Sequence, residues 1–549
     1  MSAAIYYHPE AYTTSNSKLM GRNAAGQSFL KGYFLHSAAT EFWVQTQSKG
    51  HLHLFAETAK ENGRGEKIHA LNQARLGELA KPGAIYYPEP GLGEHAFLRS
   101  HFGHGSWSIC GITHTTSSAR AMDAIANILT SPVYPWDALI CTSTAVKNNV
   151  IKILQAQKDF LTDRLGISKL VLPELPVIPL GVHTKDFEFS NVAKTKARES
   201  LAIDPNTIVV LFTGRLSFHA KAHPLAMYEA IQRASNTTRK KVTLIECGWY
   251  ANDFIQNSFT QASKFAAPDV DLLTIDGRDA ELRNYAWACA DIFCSLSDNI
   301  QETFGITPIE AMASGIPVVV SDWDGYKDTV RDGIDGFRIP TLMPPAGLGG
   351  DLALSYALEL DTYDQYCGNC CSLVAVDIEL TTLAFSKLFE SSSMREQMGQ
   401  AGKGRASSVY DWSKIIPEYE QLWSNLGEIR RSQKSELSRK SKNWPARMDP
   451  FWSFSSYPTK TLQIDMKFSL VDINAGKALA RYKLVTSLDM VSYSKIVMPT
   501  ESEIIHVFET LNGGPLAAQD LIKRFADDRK YLILRALVWL TKIGLLKLA

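Results

Sequence analysis

Along most of the chain, short apolar runs alternate with stretches whose apolar positions recur at helical spacing. Strand-like runs fall at residues 4–7, 84–87, 107–111, 138–141 and 177–180, with helical patterns at 120–129 and 147–157 between some of them. After a polar helical run at 192–200 the rhythm restarts. Strands are expected at 208–213, 242–247, 272–275, 292–295 and 316–321, with helices near 222–234, 280–289 and 308–313. Strands alternating with helices build doubly wound parallel sheets, so the pattern predicts an α/β chain with two such halves, 1–190 and 191–426. Two halves in tandem invite a ligand into the cleft between them, at the carboxyl ends of the strands.

Residues 341–375 interrupt this rhythm: Pro344 to Gly350 is loop chemistry, followed by Cys367-Gly-Asn-Cys370-Cys371. Helical pattern resumes at 378–389 and continues through 412–426, where the last helix is expected to cross back to the first half. Residues 427–500 read as a linker or extension. Within it, 430–442 carries six basic residues against Glu436, either a solvated segment or one that meets an anionic surface. The last fifty residues form their own pattern. Ile504, Val507, Phe508 and Leu511 lie on one helical face, Gly513-Gly514-Pro515 turns the chain, and Leu521, Ile522 and Phe525 make a second face. A third helix at 531–540 and an apolar end at 543–548 complete a small winged-helix-like unit over 501–549. With no evident basic recognition helix, protein contact or self-association is expected there rather than nucleic acid.

Composition narrows the class. Apolar residues make up 45% of the 549, which excludes a disordered chain. Lys plus Arg equals Asp plus Glu at 57 each, so no global basic field points to nucleic acid. The eight cysteines are scattered apart from Cys367, Cys370 and Cys371, a pattern of free thiols in a reducing compartment. Zinc at that cluster would need a second Cys/His pair nearby, and none is in sight. Neither a signal peptide nor a membrane-length apolar run is visible, so a cytoplasmic protein is expected, with peripheral contact at the inner membrane face left open.

The richest chemistry lies between Ala290 and Pro340. A buried strand ends in a polar loop carrying Glu302, which turns at Gly305 and launches a helix at Thr307-Pro308-Ile309-Glu310. Proline at the first helical position and Thr307 as N-cap would set the boundary. The free N–H groups of that helix start suit a diphosphate. Glu310 has two readings: the far end of a Thr-x-x-Glu capping box, or a ligand-binding carboxylate. Glu302, in a loop where no helix needs it, favours the second. Thr213-Gly214-Arg215 and, six residues after the arginine, Lys221 place two cations at another strand's exit; they are surface charges or partners of an anion. His114 ends the run Ile109-Cys110-Gly111-Ile112-Thr113, either as a structural histidine or facing the cleft. Gly21-Arg22-Asn23-Ala24-Ala25-Gly26 opens a helix after the first strand.

Glu302 and Glu310, with seven residues between them, followed by Ala-Met-Ala-Ser-Gly-Ile-Pro-Val-Val, resemble family-4 glycosyltransferases. The likeness continues through Ser321-Asp322-Trp323-Asp324-Gly325, Asp332-Gly333 and Gly336-Phe337. Pro179-Leu180-Gly181-Val182-His183 is similar to the family's interdomain segment, with histidine where aspartate is usual. The resemblance implies a GT-B fold: two Rossmann-like domains facing across a cleft, the first for the acceptor and the second for a nucleoside-diphosphate sugar. It implies retention at the anomeric carbon without an obligatory metal or other cofactor. Carried over, Glu302 lies near the sugar and Glu310 on the ribose. Phe304, Gly305, Ile306 and Thr307 lie near sugar and phosphates, with Gly214 and Gly26 in phosphate-facing turns. Arg215 and Lys221 neutralise the leaving diphosphate, and His114 contacts the sugar. The acceptor would be a glycan, lipid-linked or protein hydroxyl. Rivals are a catalytically inactive scaffold acting through the carboxyl-terminal unit, and an epimerase or sugar-phosphate synthase on the same fold.

Overall fold

The computed structural model describes residues 3–13, 21–433 and 444–549. The basic 430–442 stretch therefore lies largely outside the described residues. Two compact units emerge, one through Trp444 and one from Pro445.

The first unit holds two six-stranded sheets, parallel throughout. The first comprises β1 (Ala4–Tyr7), β2 (Phe42–Thr46), β3 (Ile68–Leu71), β4 (Ala84–Tyr86), β5 (Ser108–Ile112) and β6 (Ala138–Ile140), in the order β3-β2-β1-β4-β5-β6. The second comprises β7 (Ile208–Thr213), β8 (Val242–Gly248), β9 (Asp271–Asp276), β10 (Ile292–Ser295), β11 (Val318–Ser321) and β12 (Gly336–Ile339), in the order β12-β11-β10-β7-β8-β9. Numbered within its own half, each sheet has the order 3-2-1-4-5-6, the doubly wound arrangement whose strand order reverses beside its first strand. In the second sheet that switch point lies between β7 and β10, which pair through Ile292 with Val210 and Phe293 with Leu211.

Two strands were not expected, one expected strand is absent, and one interruption is an ordered insertion. β2 and β3 were not expected, and the run at 177–180 makes only an isolated bridge, Cys141 to Val177. There the chain leaves the sheet for the second half, with Val182 donating to the Tyr410 carbonyl at 2.8 Å. The Trp412–Ser432 helix packs on the Gly21–His36 helix and β5 of the first half. A Cβ on Gly32 would fall 2.5 Å from the Trp412 ring, so glycine there lets the two helices close. Trp412 Nε1 donates to Ser28 Oγ at 2.7 Å, and His183 Nε2 lies 3.2 Å from the Ser28 carbonyl. Burial lowers the His183 imidazole to about 4, so it is neutral at this crossing. Where the pattern over 341–375 predicts a break with loop chemistry at 344–350, the chain forms a hairpin of β13 (Thr341–Leu342) and β14 (Ala375–Val376) bracketing the helices Gly350–Ala357 and Tyr363–Cys371.

The second unit is larger than its helical periodicity announces. The face Ile504, Val507, Phe508 and Leu511 is buried on the Glu501–Leu511 helix, which starts with a capping box of Thr500 and Glu503. Its sheet, however, has β15 (Lys467–Leu470) at the centre, between β16 (Leu516–Ala517) and β17 (Leu546–Leu548). The stretch 445–500 is thus not a linker: it supplies the central strand and the Ala475–Thr486 helix. A boundary at 501 would leave Phe468 and Leu470 without their sheet partners. A chain ending at Trp444 is expected to run as a monodisperse species in size-exclusion chromatography. One ending at Pro499 is expected to aggregate, because it keeps β15 without β16 and β17.

Candidate functional site

At the switch point of the second sheet, β10 ends at Ser295 and feeds the buried loop Ser297-Asp298-Asn299. Hydrogen bonds hold this loop on both sides. Asn299 Nδ2 donates to the His219 carbonyl at 2.8 Å, and Trp323 Nε1 donates to the Asn299 carbonyl at 3.0 Å. Asn299 accepts in turn from the Glu302 backbone N–H at 3.2 Å, which places the glutamate at the exit of the turn. Gly305 follows with φ +79°, and a Cβ there would collide with the buried Tyr326 ring, whose hydroxyl is 2.9 Å from Ser295 Oγ. Only glycine satisfies both the backbone and the space.

The Ile306–Ala313 helix is capped by Gly305, not Thr307. This corrects the expected boundary. Thr307 sits inside the first turn with its hydroxyl buried and unpartnered, so no capping box forms. Glu310 does not reach back to a cap, and its carboxylate accepts no hydrogen bond among the described residues. Burial pushes it up to about 7, against the pull of Arg283 and Lys221.

Glu302, Lys221, Arg215 and Gln301 form one cluster. Lys221 Nζ donates to Glu302 Oε2 in a partly buried ion pair. Burial pushes the Glu302 carboxyl up, but the Lys221 charge and the Thr303 and Phe304 N–H groups outweigh it and hold the group below its ordinary value. Arg215 Nη2 donates to the Ala220 carbonyl and to Gln301 Oε1, both at 2.9 Å. Gly214, at φ +153°, joins β7 to Arg215, with Lys221 Cε 3.4 Å from where its Cβ would stand. The structure thus brings Glu302, Arg215, Lys221, Gly214, Phe304, Gly305, Ile306, Thr307 and Glu310 around the carboxyl ends of β7 and β10. His114 joins them from the first half, its carbonyl accepting from Thr303 Oγ1 at 3.2 Å. Gly26 does not. It lies in the second turn of the Gly21–His36 helix, where a Cβ would collide with the Ala11 carbonyl, so glycine there serves packing.

Several residues at the site escaped sequence reasoning. Asp324, at φ +44°, lies against the Ser143 hydroxyl at 3.4 Å, and burial, then the Glu302 charge, raises it well above the carboxylate range. Its Oδ2 is buried without a partner, as is the Thr213 hydroxyl at the end of β7. Gln301 is the side chain that holds Arg215. The Tyr363–Cys371 helix covers the 217–221 turn: Cys371 Sγ donates to Asp298 Oδ1 at 3.1 Å, and burial raises Asp298 to about 6. All eight cysteines are unpaired, and no metal-binding cluster of His, Cys, Asp or Glu occurs among the described residues. From the same insertion, Tyr363 reaches the first half, its hydroxyl 3.0 Å from Ser117 Oγ and 3.3 Å from Thr115 Oγ1. The Tyr356 hydroxyl accepts from the Ala119 N–H at 2.9 Å. No signal in the polar and cysteine pattern of 341–375 announces this reach.

Chemically, the cluster offers two cations, a helix start with a buried hydroxyl, and an unbonded carboxylate. That set can accept an anion and sugar hydroxyls together. The raised Glu310 has a thermodynamic consequence. Its folded value lies above the unfolded value of 4.5, so ionising it opposes folding, and that penalty grows as pH rises from 4.5 through about 7. Glu310→Gln is therefore expected to stabilise the ligand-free protein by about 1–3 kcal/mol near pH 8, with the gain fading toward pH 4.5. Urea unfolding at both pH values checks this.

Residues 193–343 match the family described as glycosyl transferases group 1. Phosphatidyl-myo-inositol mannosyltransferase of Mycobacterium tuberculosis is 24% identical over 349 residues, spanning 61% of this chain and 78% of that protein. Among solved structures, a glycosyltransferase from Rickettsia africae superposes with a TM-score of 0.50 at 12% identity, over 77% of this chain and 98% of that one. The Anabaena protein HepE in complex with UDP superposes with a TM-score of 0.49 at 14% identity, over 77% of this chain and all of that one. No helix among the described residues is long and apolar enough to cross a membrane.

Proposed function

We propose that this chain, whose residues 193–343 match the group 1 glycosyl transferases, moves a sugar from a nucleotide-sugar donor with retention of configuration, and that the cluster at β7 and β10 holds that donor. One observation carries this reading. The Thr307 hydroxyl and the Glu310 carboxylate lie within one helix start, buried or half-buried, and neither has a hydrogen-bond partner among the described residues. Polar groups in that state are costly unless a ligand meets them.

In the proposed arrangement Glu310 accepts the ribose hydroxyls, and the N–H groups after Gly305 face the diphosphate. Arg215 and Lys221 neutralise the charge that grows on the leaving phosphate oxygen, the task a divalent ion performs elsewhere. Glu302 then exchanges its lysine partner for hydroxyls of the transferred sugar. The bond from the anomeric carbon to the β-phosphate oxygen breaks, and its electron pair leaves with the phosphate. The acceptor oxygen bonds the same face of the carbon, and its proton passes to the departing phosphate oxygen. His114 contacts the transferred sugar from the first half, the carboxyl ends of the first sheet line the acceptor side, and the Tyr363 and Tyr356 contacts hold the halves together against water.

The test is a panel of uridine and guanosine diphosphate sugars offered to the purified chain, with and without a chelator. The expected result is release of nucleoside diphosphate from at least one donor, undiminished by the chelator, and a glycoside of the donor's own anomeric configuration. Activity that vanishes in chelator and returns with a divalent ion would contradict the role given to Arg215 and Lys221.

A further inference from the structure

One exposed apolar surface of the second unit is a continuous stretch. It runs through the Ala475–Thr486 helix, the Asp489–Ser492 helix and the turn Lys495–Val497. The first helix has an inner face. Ala478 is buried, and the Tyr482 ring packs edge-on against Phe508 at 6.0 Å and Trp539 at 6.2 Å. Its outer stripe is Lys477, Arg481 and Leu484, at spacings of four and three, and Leu488 follows just past the end of the helix, all exposed. The chain then presents Met490, Tyr493 and Ile496, exposed at 80%, 78% and 94%. An isoleucine so bare beside a bare methionine and tyrosine marks a surface that something covers.

Charge identifies what covers it. Lys477, Arg481, Lys483 and Lys495 are all exposed, and none is ion-paired among the described residues; Asp489 is the sole acid on the stretch. The neutral total of the chain conceals this, because residues 445–549 carry fourteen Lys and Arg against ten Asp and Glu. A second copy of the chain fits poorly, since a two-fold contact would face these cations with their own images. Nucleic acid would satisfy the cations but leave Met490 and Ile496 bare. An anionic bilayer satisfies both: the apolar tip enters the boundary between headgroups and acyl chains, the lysines and arginine meet lipid phosphates, and the tyrosine sits at the interface. We propose that residues 475–498 are a membrane-docking surface that seats the enzyme on anionic phospholipid.

Flotation of the full chain with vesicles tests this, using phosphatidylcholine alone and phosphatidylcholine mixed with phosphatidylglycerol. Wild type is expected to float with the mixed vesicles, less so at high salt, and to stay behind with the neutral ones. Tyr493→Asp with Ile496→Asp should abolish flotation. Lys477→Gln, Arg481→Gln and Lys483→Gln should each weaken it about fivefold. All five positions are exposed, so unfolding curves and nucleotide-sugar turnover without vesicles should match wild type. Wild type that ignores the mixed vesicles, binds neutral ones equally, or keeps floating with both aspartates would overturn the proposal. A dimer in size-exclusion chromatography that the aspartates break, without flotation, would make the face a self-association surface instead.

Discussion

Lys221→Ala is expected to lower kcat by about 10²–10³-fold, and Arg215→Ala to do so on a similar scale, each with a much smaller change in KM. Both cations stand at the exits of a buried sheet, on the turn that Gly214 and the His219–Asn299 contact hold in place. In the ligand-free protein Arg215 is held by Gln301 and Lys221 by Glu302, so both are aimed before substrate arrives. Charge on the leaving phosphate grows toward the transition state, and groups that answer it act more on turnover than on binding. Lys221→Ala carries a second signature. Lys221 is the main influence that holds Glu302 below its ordinary value, so without it burial raises the carboxyl, and the acidic limb of the kcat profile should move to higher pH. Steady-state kinetics across pH reads both effects. A variant that raised KM alone would mean that the lysine binds donor and transition state equally.

Glu310→Ala is expected to raise the donor KM by about 10–100-fold, the loss of charged hydrogen bonds worth about 1.5–3 kcal/mol, with kcat within a few-fold. Glu302→Ala should do the reverse, lowering kcat with little effect on KM. The two carboxylates differ in the structure as the roles require. Glu302 is charged, paired and in the loop beside the cleft, whereas Glu310 is raised to about 7 and unbonded at the helix start. Paired with the pH dependence expected for Glu310→Gln, this gives one residue opposite signs. Losing its charge steadies the ligand-free fold and weakens the donor complex, as expected of a group kept for a ligand. Equal kinetic effects of the two substitutions would argue against separate roles.

Both halves of the sheet architecture were legible because β1, β7, β8 and β10 are apolar runs bounded by polar turns, with helical periodicity between them. β3 was not, because an edge strand reading Ile-His-Ala-Leu carries little apolar signal, and β2 ends in Gln-Thr with no turn residue directly beside it to mark it off. That Glu302, Glu310, Arg215 and Lys221 would gather near the ends of β7 and β10 was legible from residue type at two strand exits and one helix start; their role as a donor site is the proposal made above. Thr307 was misplaced by two positions, because a positive-φ glycine can cap a helix without the side chain that a capping motif looks for. Tyr363 and Gln301 were not legible, and Asp324 was read only as part of a motif, without a place at the site. Their importance comes from folding that brings an insertion and two loops onto one turn, and no local pattern encodes that meeting. The second unit was half legible: its helices repeat at 3.6 residues, but its central strand lies more than thirty residues before them, in a stretch that reads as connection.

The most direct test of the donor-site assignment is release of nucleoside diphosphate by the full chain and by the Glu302→Ala/Glu310→Ala double variant. Each is given the best donor from the panel at saturating concentration, with folding checked by matched unfolding curves. Turnover by wild type and its loss in a folded double variant is the predicted result. A folded double variant that turns over the donor at the wild-type rate would contradict it.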